Sequence, residues 1–154
     1  MPGFELFGEE EKKQVNEVLE TGILMRYGFD GPRNGMWKSK ELEAAVCNTF
    51  GSQYAQLTSS GTAALTTAMA ALGVGAGDEV IMPAFTFVAS FEAILSMGAI
   101  PVLVDIDDSL TLSPAAIKKA ITPRTKAIMP VHMCGAMADM DALIKICKEN
   151  NLLL

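Results

Sequence analysis

The sequence predicts an α/β fold of three layers, in which helices cover both faces of a mainly parallel β-sheet, preceded by an N-terminal arm of helices and loops. From residue 54 onward, short apolar segments alternate with segments of helical pattern. Strands of a parallel sheet are buried on both faces and joined by helical crossovers, so they carry little charge. The composition agrees, because 50% of the 154 residues are apolar and only 19% are charged.

The first 50 residues are predicted to form the arm. An amphipathic helix is expected from Glu9 to Thr21, with Gly22 as its stop. The next segment, RYGFDGPRNGMWK, combines glycine, aromatic and cationic residues, which is typical of an exposed loop. A second helix is predicted from about Ser39 to Phe50. The chain therefore divides into residues 1–50 and residues 51–154.

The second region contains the predicted strands and helices of the sheet. Ser113 with Pro114, and Asp139, are expected to begin two of the helices. The strands are YAQLTS (54–59), EVIM (79–82), IPVLVDI (100–106), KAIMPVH (126–132) and the beginning of one in NLLL (151–154). The helices are TAALTTAMAAL (62–72), Thr86 to Met97, AAIKKAI (115–121) and a segment that ends near Asn150.

The last segment, NLLL, has the composition of a central strand, yet no loop or covering helix follows it. Such an ending would leave apolar surface and backbone groups bare. We therefore expect the chain to be a fragment of a longer protein.

Charge and composition exclude several classes of function. A net charge of -6 argues against nucleic acid or an anionic membrane as partner, since both require a basic face. No apolar run approaches the roughly 20 residues that span a bilayer, and the acidic N-terminus is unlike a secretory signal. We expect a cytoplasmic protein. Cys47, Cys134 and Cys147 are expected to be reduced and mostly buried, and no spacing indicates a metal site.

The segment TSSGTAA, residues 58–64, is the first candidate binding site. It lies between a predicted strand and a predicted helix, so its amides would face outward from a helix N-terminus, which favours an anion such as phosphate. Gly61 would allow close approach of the backbone, and the hydroxyls of Ser60 and Thr62 could add hydrogen bonds. The alternative is an ordinary capped helix without a ligand.

Further candidates follow other predicted strands, at the edge where open α/β sheets bind ligands. Phe85 or Phe87 could stack on a flat cofactor ring, although an isolated phenylalanine more often belongs to the core. His132, the single histidine, could carry a proton or contact a substrate, and the alternative is a structural role. Asp105 ends a strand at the same edge and could simply cap a turn.

The N-terminal loop carries a cluster of cations. Arg26 and Arg33 lie in the loop with Lys38, Tyr27 and Trp37 nearby in sequence. Arginine binds carboxylates and phosphates well, so a site for an acidic substrate is one interpretation. Solvated loop charges are the other.

Four segments of the second region together resemble one known family, the DegT/DnrJ/EryC1/StrS sugar aminotransferases, which are fold-type I pyridoxal-phosphate enzymes. The resemblance implies pyridoxal phosphate as cofactor, a sugar and glutamate as substrates, and a homodimer. Gly61, Thr62 and Ala63 then correspond to the turn that holds the cofactor phosphate, beside Ser60, and Phe87 corresponds to the aromatic residue that stacks on the pyridine ring. The matching segments are SSGTAALTTAMAALGVGAGDEVIMPAFTFVAS, GAIPVLVDID, ITPRTKAIMPVHMCG and ADMDALIKICKENNL.

The resemblance covers less than half of a family enzyme. Its aspartate partner for the pyridine nitrogen is expected just beyond a strand like NLLL, and its cofactor-binding lysine beyond Leu154. No catalytic residue is therefore assigned, because none of the nine lysines present matches that position. The complete enzyme is expected to transfer an amino group from glutamate to a keto or aldehyde sugar by a ping-pong reaction.

Arg26, Tyr27, Arg33 and His132 are the candidate substrate contacts in this interpretation. Two alternatives stay open. The protein could belong to the sugar dehydratase branch of the same family, in which histidine replaces the lysine. It could also be an inactive chain that serves only in binding or assembly.

Overall fold

The computed structural model describes residues 3–154, so Met1 and Pro2 lie outside the described residues. The chain divides into two compact units, one ending at Leu57 and the other beginning at Thr58. The predicted boundary after residue 50 falls at the end of a helix within the first unit.

The N-terminal unit contains a one-turn 3₁₀ helix, Phe4–Leu6, and two α-helices, α1 (Glu9–Thr21) and α2 (Lys38–Phe50). Helix α1 has the predicted bounds. It ends at Gly22, whose φ of 65° lies in the left-handed region that glycine adopts without strain. Helix α2 begins one residue earlier than predicted and ends at Phe50 as predicted.

The second unit alternates helices and strands along the chain. Ser60, Ser113 and Asp139 cap three of its helices, because each side chain accepts a hydrogen bond from a backbone amide in the first turn. The elements in order are α3 (Gly61–Ala71), β1 (Glu79–Pro83), α4 (Ala89–Ser96), β2 (Ile100–Val104), α5 (Pro114–Ala120), β3 (Thr125–Ile128), a 3₁₀ turn (Met133–Gly135) and α6 (Met140–Asn150).

The sheet is parallel, with β1 between β2 and β3. Successive residues of β1 face opposite sides. Ile81 packs into a cluster formed with α5 and α6, which includes Ile117 and Leu143. Val80 and Met82 pack into a second cluster, formed with α3 and α4. Helices on both faces of a parallel sheet confirm the predicted three-layer α/β fold.

Several predicted elements have different bounds in the structure. No strand forms at residues 54–59, because the N–H of Leu57 donates to the Glu43 carboxylate at 2.8 Å rather than to another strand. Helix α4 begins at Ala89 rather than Thr86. Strand β3 ends at Ile128 rather than His132. Leu153 pairs in parallel with Ala127 of β3, which agrees with the strand predicted at NLLL.

Glu79 occupies the amino-terminal edge of the sheet, at the start of β1, and is only 4% exposed. Its carboxylate accepts hydrogen bonds from the Thr122 hydroxyl and from Nε of Arg124, the latter at 2.9 Å. These bonds, Thr122 first and Arg124 second, lower the pKa of Glu79. The carboxylate is therefore held charged and fully paired inside the fold.

The three cysteines form no disulfide within residues 3–154 and differ in burial. Cys147 is buried, which raises its thiol pKa, and Cys47 is half-buried. Cys134 is exposed, so the expectation of mostly buried thiols is wrong at this position. It lies in the 3₁₀ turn after β3 rather than in a core element. Within residues 3–154, each helix is too short or too polar to cross a bilayer.

Candidate cofactor site

An open cavity of about 560 Å³ lies in the second unit. Its walls come from three segments: the first turn of α3, residues 86–90 at the entrance of α4, and residues 131–134 after β3. These segments follow or flank the carboxyl ends of strands, where parallel α/β sheets bind ligands. Among the predicted site residues, the cavity brings together Gly61, Thr62, Phe87 and His132.

The first turn of α3 forms one wall of the cavity. Ser60 Oγ accepts a hydrogen bond from the N–H of Ala63 at 3.1 Å. The N–H groups of Gly61 and Thr62 have no acceptor within residues 3–154. Two free donors at the positive end of a helix dipole attract an anionic group. The predicted phosphate turn therefore has donors to offer, while Ser60 and Ala63 are already engaged with each other.

Gly61 is not required by the fold. Its φ lies outside the left-handed region, and a Cβ placed on it would meet no atom within 4 Å. A side chain could therefore occupy this position without strain or clash. Neither packing nor backbone conformation therefore requires glycine here, and its bare backbone leaves room for a ligand to approach closely.

Phe87 forms part of the cavity wall and is not a core residue. It is 76% exposed and lines the cavity, whereas Phe85 is 49% exposed and does not line it. The interpretation that both rings belong to the core is wrong, because the chain turns outward after β1 before α4 begins. The N–H of Ser90 donates to the Phe87 carbonyl at 3.1 Å in a tight turn that presents the ring. An exposed ring of this size has a flat face free for stacking.

His132 lines the third wall with the 3₁₀ turn that follows it. Its Nδ1 accepts a hydrogen bond from the N–H of Ala138 at 3.1 Å. Asp105 takes no part in this cavity. It is exposed, and its backbone carbonyl accepts a hydrogen bond from the Ser113 N–H at 3.2 Å. Within residues 3–154 its carboxylate accepts no hydrogen bond, so its role as a turn cap stays a prediction.

Thr86 and Ser90 also line the cavity, although sequence analysis did not select them. Their hydroxyls lie 3.1 Å apart, and Ser90 is only 6% exposed. In the sequence, Thr86 and Ser90 are four residues apart, a spacing that would place two hydroxyls on one face of the helix predicted from Thr86. That signal is weak without knowledge of where the helix begins.

The three other predicted substrate residues belong to the N-terminal unit. Arg33 is 6% exposed, and its guanidinium donates from Nε to the Gly28 carbonyl at 3.0 Å and from Nη2 to the carbonyl of Met25. Arg26 pairs with Glu43, while Tyr27 is 73% exposed. The two arginines are thus held by internal contacts, and their substrate role stays a prediction.

Arg26 and Arg33 also line a second cavity, of about 280 Å³, within the N-terminal unit. Lys38 is a third cation of its wall, and no aspartate or glutamate contributes to the wall. Glu43, the partner of Arg26, stays charged because two hydrogen bonds lower its pKa. The larger effect comes from the Leu57 N–H and the smaller from Arg26. Within residues 3–154, no three histidine, cysteine, aspartate or glutamate side chains form a metal-binding cluster.

Comparison with known families gives a match over nearly the whole chain. The sequence model of the DegT/DnrJ/EryC1/StrS aminotransferase family matches residues 6–154. This range includes both units and every segment that lines the cavity.

Three solved structures illustrate the similarity. 3-Amino-5-hydroxybenzoic acid synthase is 40% identical, with a TM-score of 0.89 over 99% of this chain and 38% of its own. NtdA from Bacillus subtilis, solved with bound cofactor PMP, is 34% identical, with a TM-score of 0.83 over 96% of this chain and 33% of its own. GDP-4-keto-6-deoxymannose-3-dehydratase, solved with a trapped PLP-glutamate geminal diamine, is 29% identical, with a TM-score of 0.80 over 96% and 38%. The chain thus spans 33% to 38% of these proteins.

Proposed function

Because the chain belongs to the DegT/DnrJ/EryC1/StrS aminotransferase family, we propose that the whole protein is a pyridoxal-phosphate-dependent aminotransferase that moves an amino group from glutamate to a keto or aldehyde sugar. The observation that carries this proposal is a cavity lined both by the N-terminus of α3, whose first amides have no acceptor within residues 3–154, and by the exposed ring of Phe87.

The residues of the cavity fit pyridoxal phosphate. Its phosphate needs hydrogen-bond donors and positive potential, which the free amides of Gly61 and Thr62 at the start of α3 supply. Its pyridine ring needs a flat apolar partner, and Phe87 has an exposed ring in the same cavity. The missing side chain at Gly61 leaves room for the phosphate at the helix end.

Each residue has a distinct part in this proposal. Gly61 and Thr62 bind the phosphate, and Ser60 with Ala63 keeps the turn in shape through their mutual hydrogen bond. Phe87 fixes the plane of the ring and excludes water from one of its faces. When bound, the cofactor supplies an electron sink for amino transfer, while the protein positions it.

The substrate is the finer part of the proposal. The segments MPGFELFG, TGILMRYGFD and RNGMWK resemble those of the transaminase that makes 8-amino-3,8-dideoxy-manno-octulosonate for lipopolysaccharide. This sugar carries a carboxylate, for which Arg26 and Arg33, with Tyr27 beside them in sequence, are the proposed partners. Arg26, Arg33 and Lys38 line the 280 Å³ cavity, where Arg26 pairs with Glu43 and Lys38 with Glu17. We further propose a cytoplasmic homodimer.

The amino-donor reaction tests the proposed function. Purified whole enzyme, loaded with pyridoxal phosphate and mixed with glutamate in the absence of sugar, should release 2-oxoglutarate in an amount close to that of enzyme subunits and then stop. Adding the sugar acceptor should restart release. Residues 1–154 alone should release none. Absence of 2-oxoglutarate from the loaded whole enzyme would contradict the proposal.

The dehydratase branch is the second candidate, favoured by the likeness to GDP-4-keto-6-deoxymannose-3-dehydratase. The two functions differ in whether a lysine binds the cofactor covalently. Borohydride reduction followed by peptide mass analysis should find the cofactor attached to a lysine in an aminotransferase. A cofactor that dialyses away after the same treatment would favour the dehydratase or an inactive binding protein.

The sugar carboxylate has its own test. Arg26→Ala should raise the KM for the sugar acid by about tenfold, because a charge-assisted hydrogen bond contributes about 1.5–3 kcal/mol. The KM for glutamate should change less. Glu43→Gln serves as the matched control, since it removes the partner of Arg26 but keeps the guanidinium. Equal changes in both KM values would assign Arg26 to the fold of the N-terminal unit instead.

A further inference from the structure

His132 is held by the chain that follows it. After β3, the backbone makes a tight turn in which the N–H of Gly135 donates to the His132 carbonyl at 3.2 Å and that of Ala136 to Met133 at 2.8 Å. The turn brings the N–H of Ala138 to 3.1 Å from Nδ1 of the imidazole. Ala138 is 3% exposed and packs in the core cluster beneath α5 and α6. The ring is therefore anchored to a rigid, buried point of the backbone.

This hydrogen bond determines the tautomer of the ring. An amide N–H can only donate, so Nδ1 must be the unprotonated, accepting nitrogen. In the neutral imidazole the proton then lies on Nε2. A doubly protonated ring would place two donors against each other at Nδ1 and lose the bond to Ala138. The hydrogen bond therefore leaves Nε2–H as the free group of the ring.

Nε2–H of His132 is not bonded by the wall around it. Within residues 3–154, Nε2 has no hydrogen-bond partner, and the carboxylates of the chain contribute nothing to the lining of the cavity. Among the hydroxyls of the wall, those of Thr86 and Ser90 lie 3.1 Å apart and bond to each other rather than to the imidazole. A donor that faces a ligand cavity without an internal partner is available to an acceptor atom of the ligand.

We propose that His132 is a ligand-binding residue that donates a hydrogen bond from Nε2 to an acceptor oxygen of the molecule that occupies the cavity. Its Nδ1 accepts the hydrogen bond from the Ala138 N–H, so Nε2–H is the group that the ring offers to a ligand. The inference rests on the proposed function, since the occupant is the cofactor or the substrate joined to it. The acceptor oxygen belongs either to the cofactor or to the substrate carboxylate.

Two substitutions separate the two nitrogens of the ring. His132→Asn places an amide oxygen near the position of Nδ1, which keeps the bond from Ala138 but removes the donor at Nε2. His132→Gln places an amide nitrogen near Nε2, which keeps the donor but leaves the Ala138 N–H without its acceptor. His132→Asn should therefore bind ligand about fivefold more weakly with a nearly unchanged Tm. His132→Gln should bind almost normally with a lower Tm.

The measurement uses the whole enzyme and pyridoxamine phosphate, whose affinity is read by fluorescence titration, together with the KM for glutamate and for the sugar. Weaker pyridoxamine phosphate binding by His132→Asn assigns the acceptor to the cofactor, while a raised KM alone assigns it to the substrate. Unchanged affinity and unchanged KM values in His132→Asn would overturn the inference. Failure of the wild-type enzyme to bind pyridoxamine phosphate would instead overturn the proposed function.

The tautomer has a direct readout. Nitrogen-15 NMR of the labelled whole enzyme, with the His132 signals identified by their absence in His132→Asn, should show an accepting Nδ1 and a proton on Nε2. A proton at Nδ1 would overturn the inference independently of any binding result.

Discussion

The two edges of the parallel sheet treat polar groups in opposite ways. At the amino-terminal edge, Glu79 is 4% exposed, and its carboxylate is satisfied by Thr122 and Arg124. At the carboxyl-terminal edge, the amides of Gly61 and Thr62 lack acceptors, and Phe87 is 76% exposed. One edge uses its polar and apolar groups for internal contacts, and the other leaves them free.

This difference separates stability from binding within a single unit. A buried, paired carboxylate stabilises the fold, and losing its partners leaves an unsatisfied group. Free amides and an exposed ring contribute little to the free energy of unfolding of the unliganded protein. They contribute free energy when a ligand binds. Substitutions at the amino-terminal edge should therefore change Tm, and substitutions at the carboxyl-terminal edge should change ligand affinity.

The largest expected effect is at Gly61. Gly61→Val places a branched side chain where a Cβ meets open space, so the unliganded protein should keep its Tm. The same side chain would occupy the position of the phosphate and separate it from the amides. Because hydrogen bonds to a charged group contribute about 1.5–3 kcal/mol each, affinity for pyridoxal phosphate should fall about tenfold to a hundredfold.

Gly75 offers a matched control for that substitution. It also has a φ outside the left-handed region and open space around its missing Cβ, but it lies in the loop before β1 rather than in the cavity. Gly75→Val should leave cofactor affinity unchanged. Equal losses in the two variants would show that the effect is structural, and the contrast between the two edges would fail.

The next effect is at Glu79 and concerns stability. Glu79→Gln replaces one accepting oxygen by an amide N–H₂ that faces the donors of Thr122 and Arg124. Tm at pH 7 should therefore fall clearly. Because hydrogen bonds from Thr122 and Arg124 lower the pKa of Glu79 from its usual 4.5, the charged form contributes stability above that value and loses it as the pH falls through the lowered pKa. The Tm difference between wild type and variant should therefore shrink in acid.

Thermal unfolding followed by circular dichroism across that pH range measures the difference. Glu92→Gln is the control, since Glu92 is an exposed residue of α4 whose carboxylate has no partner within residues 3–154. It should leave Tm unchanged at each pH. A Tm difference for Glu79→Gln that stays constant into acid would assign the loss to packing rather than to the charged carboxylate.

The sequence was a good guide wherever local chemistry decides the structure. Helix α1 and the caps Ser60, Ser113 and Asp139 were predictable because a cap or stop residue acts within one turn. The apolar run of β1 was predictable because central strands are buried on both faces. The segment at 54–59 was not, because its alternating pattern gave no sign that Glu43 would accept the N–H of Leu57.

The candidate site was predictable only in part. Gly61 and Thr62 follow from the helix N-terminus that the sequence predicts after Ser60, although the strand predicted before it does not form. Phe85 and Phe87 could not be told from core residues, because exposure depends on the turn that delays α4 to Ala89. The bond between His132 and Ala138 joins residues across a loop whose conformation no local pattern encodes.

Phe87→Ala tests the apolar part of the carboxyl-terminal edge. Removing an exposed ring should leave Tm nearly unchanged, while loss of stacking, about 1 kcal/mol, should weaken cofactor binding about fivefold. Phe85→Ala is the control, because Phe85 is also partly exposed but does not line the cavity. The measurement is titration of both variants with pyridoxamine phosphate. Similar affinities in the two variants would remove Phe87 from the binding site.

The smallest expected effect is at Ser60, which lies at the carboxyl-terminal edge but should behave like a residue of the opposite edge. Its hydroxyl is already committed to the Ala63 N–H at 3.1 Å, so it works as a helix cap. Ser60→Ala should lower the stability of the unliganded protein by about 1 kcal/mol, as loss of a cap does. Cofactor affinity should change little, because the freed Ala63 N–H becomes a third donor for the phosphate.

Ser59→Ala is the matched control for the cap, since the Ser59 hydroxyl makes no hydrogen bond within residues 3–154. Denaturant unfolding without cofactor, paired with pyridoxamine phosphate titration, separates the two properties for both variants. A large loss of affinity with unchanged stability in Ser60→Ala would mean that its hydroxyl binds the phosphate directly. Ser60 would then contribute to ligand binding, like Gly61 and Thr62, rather than to the stability of α3.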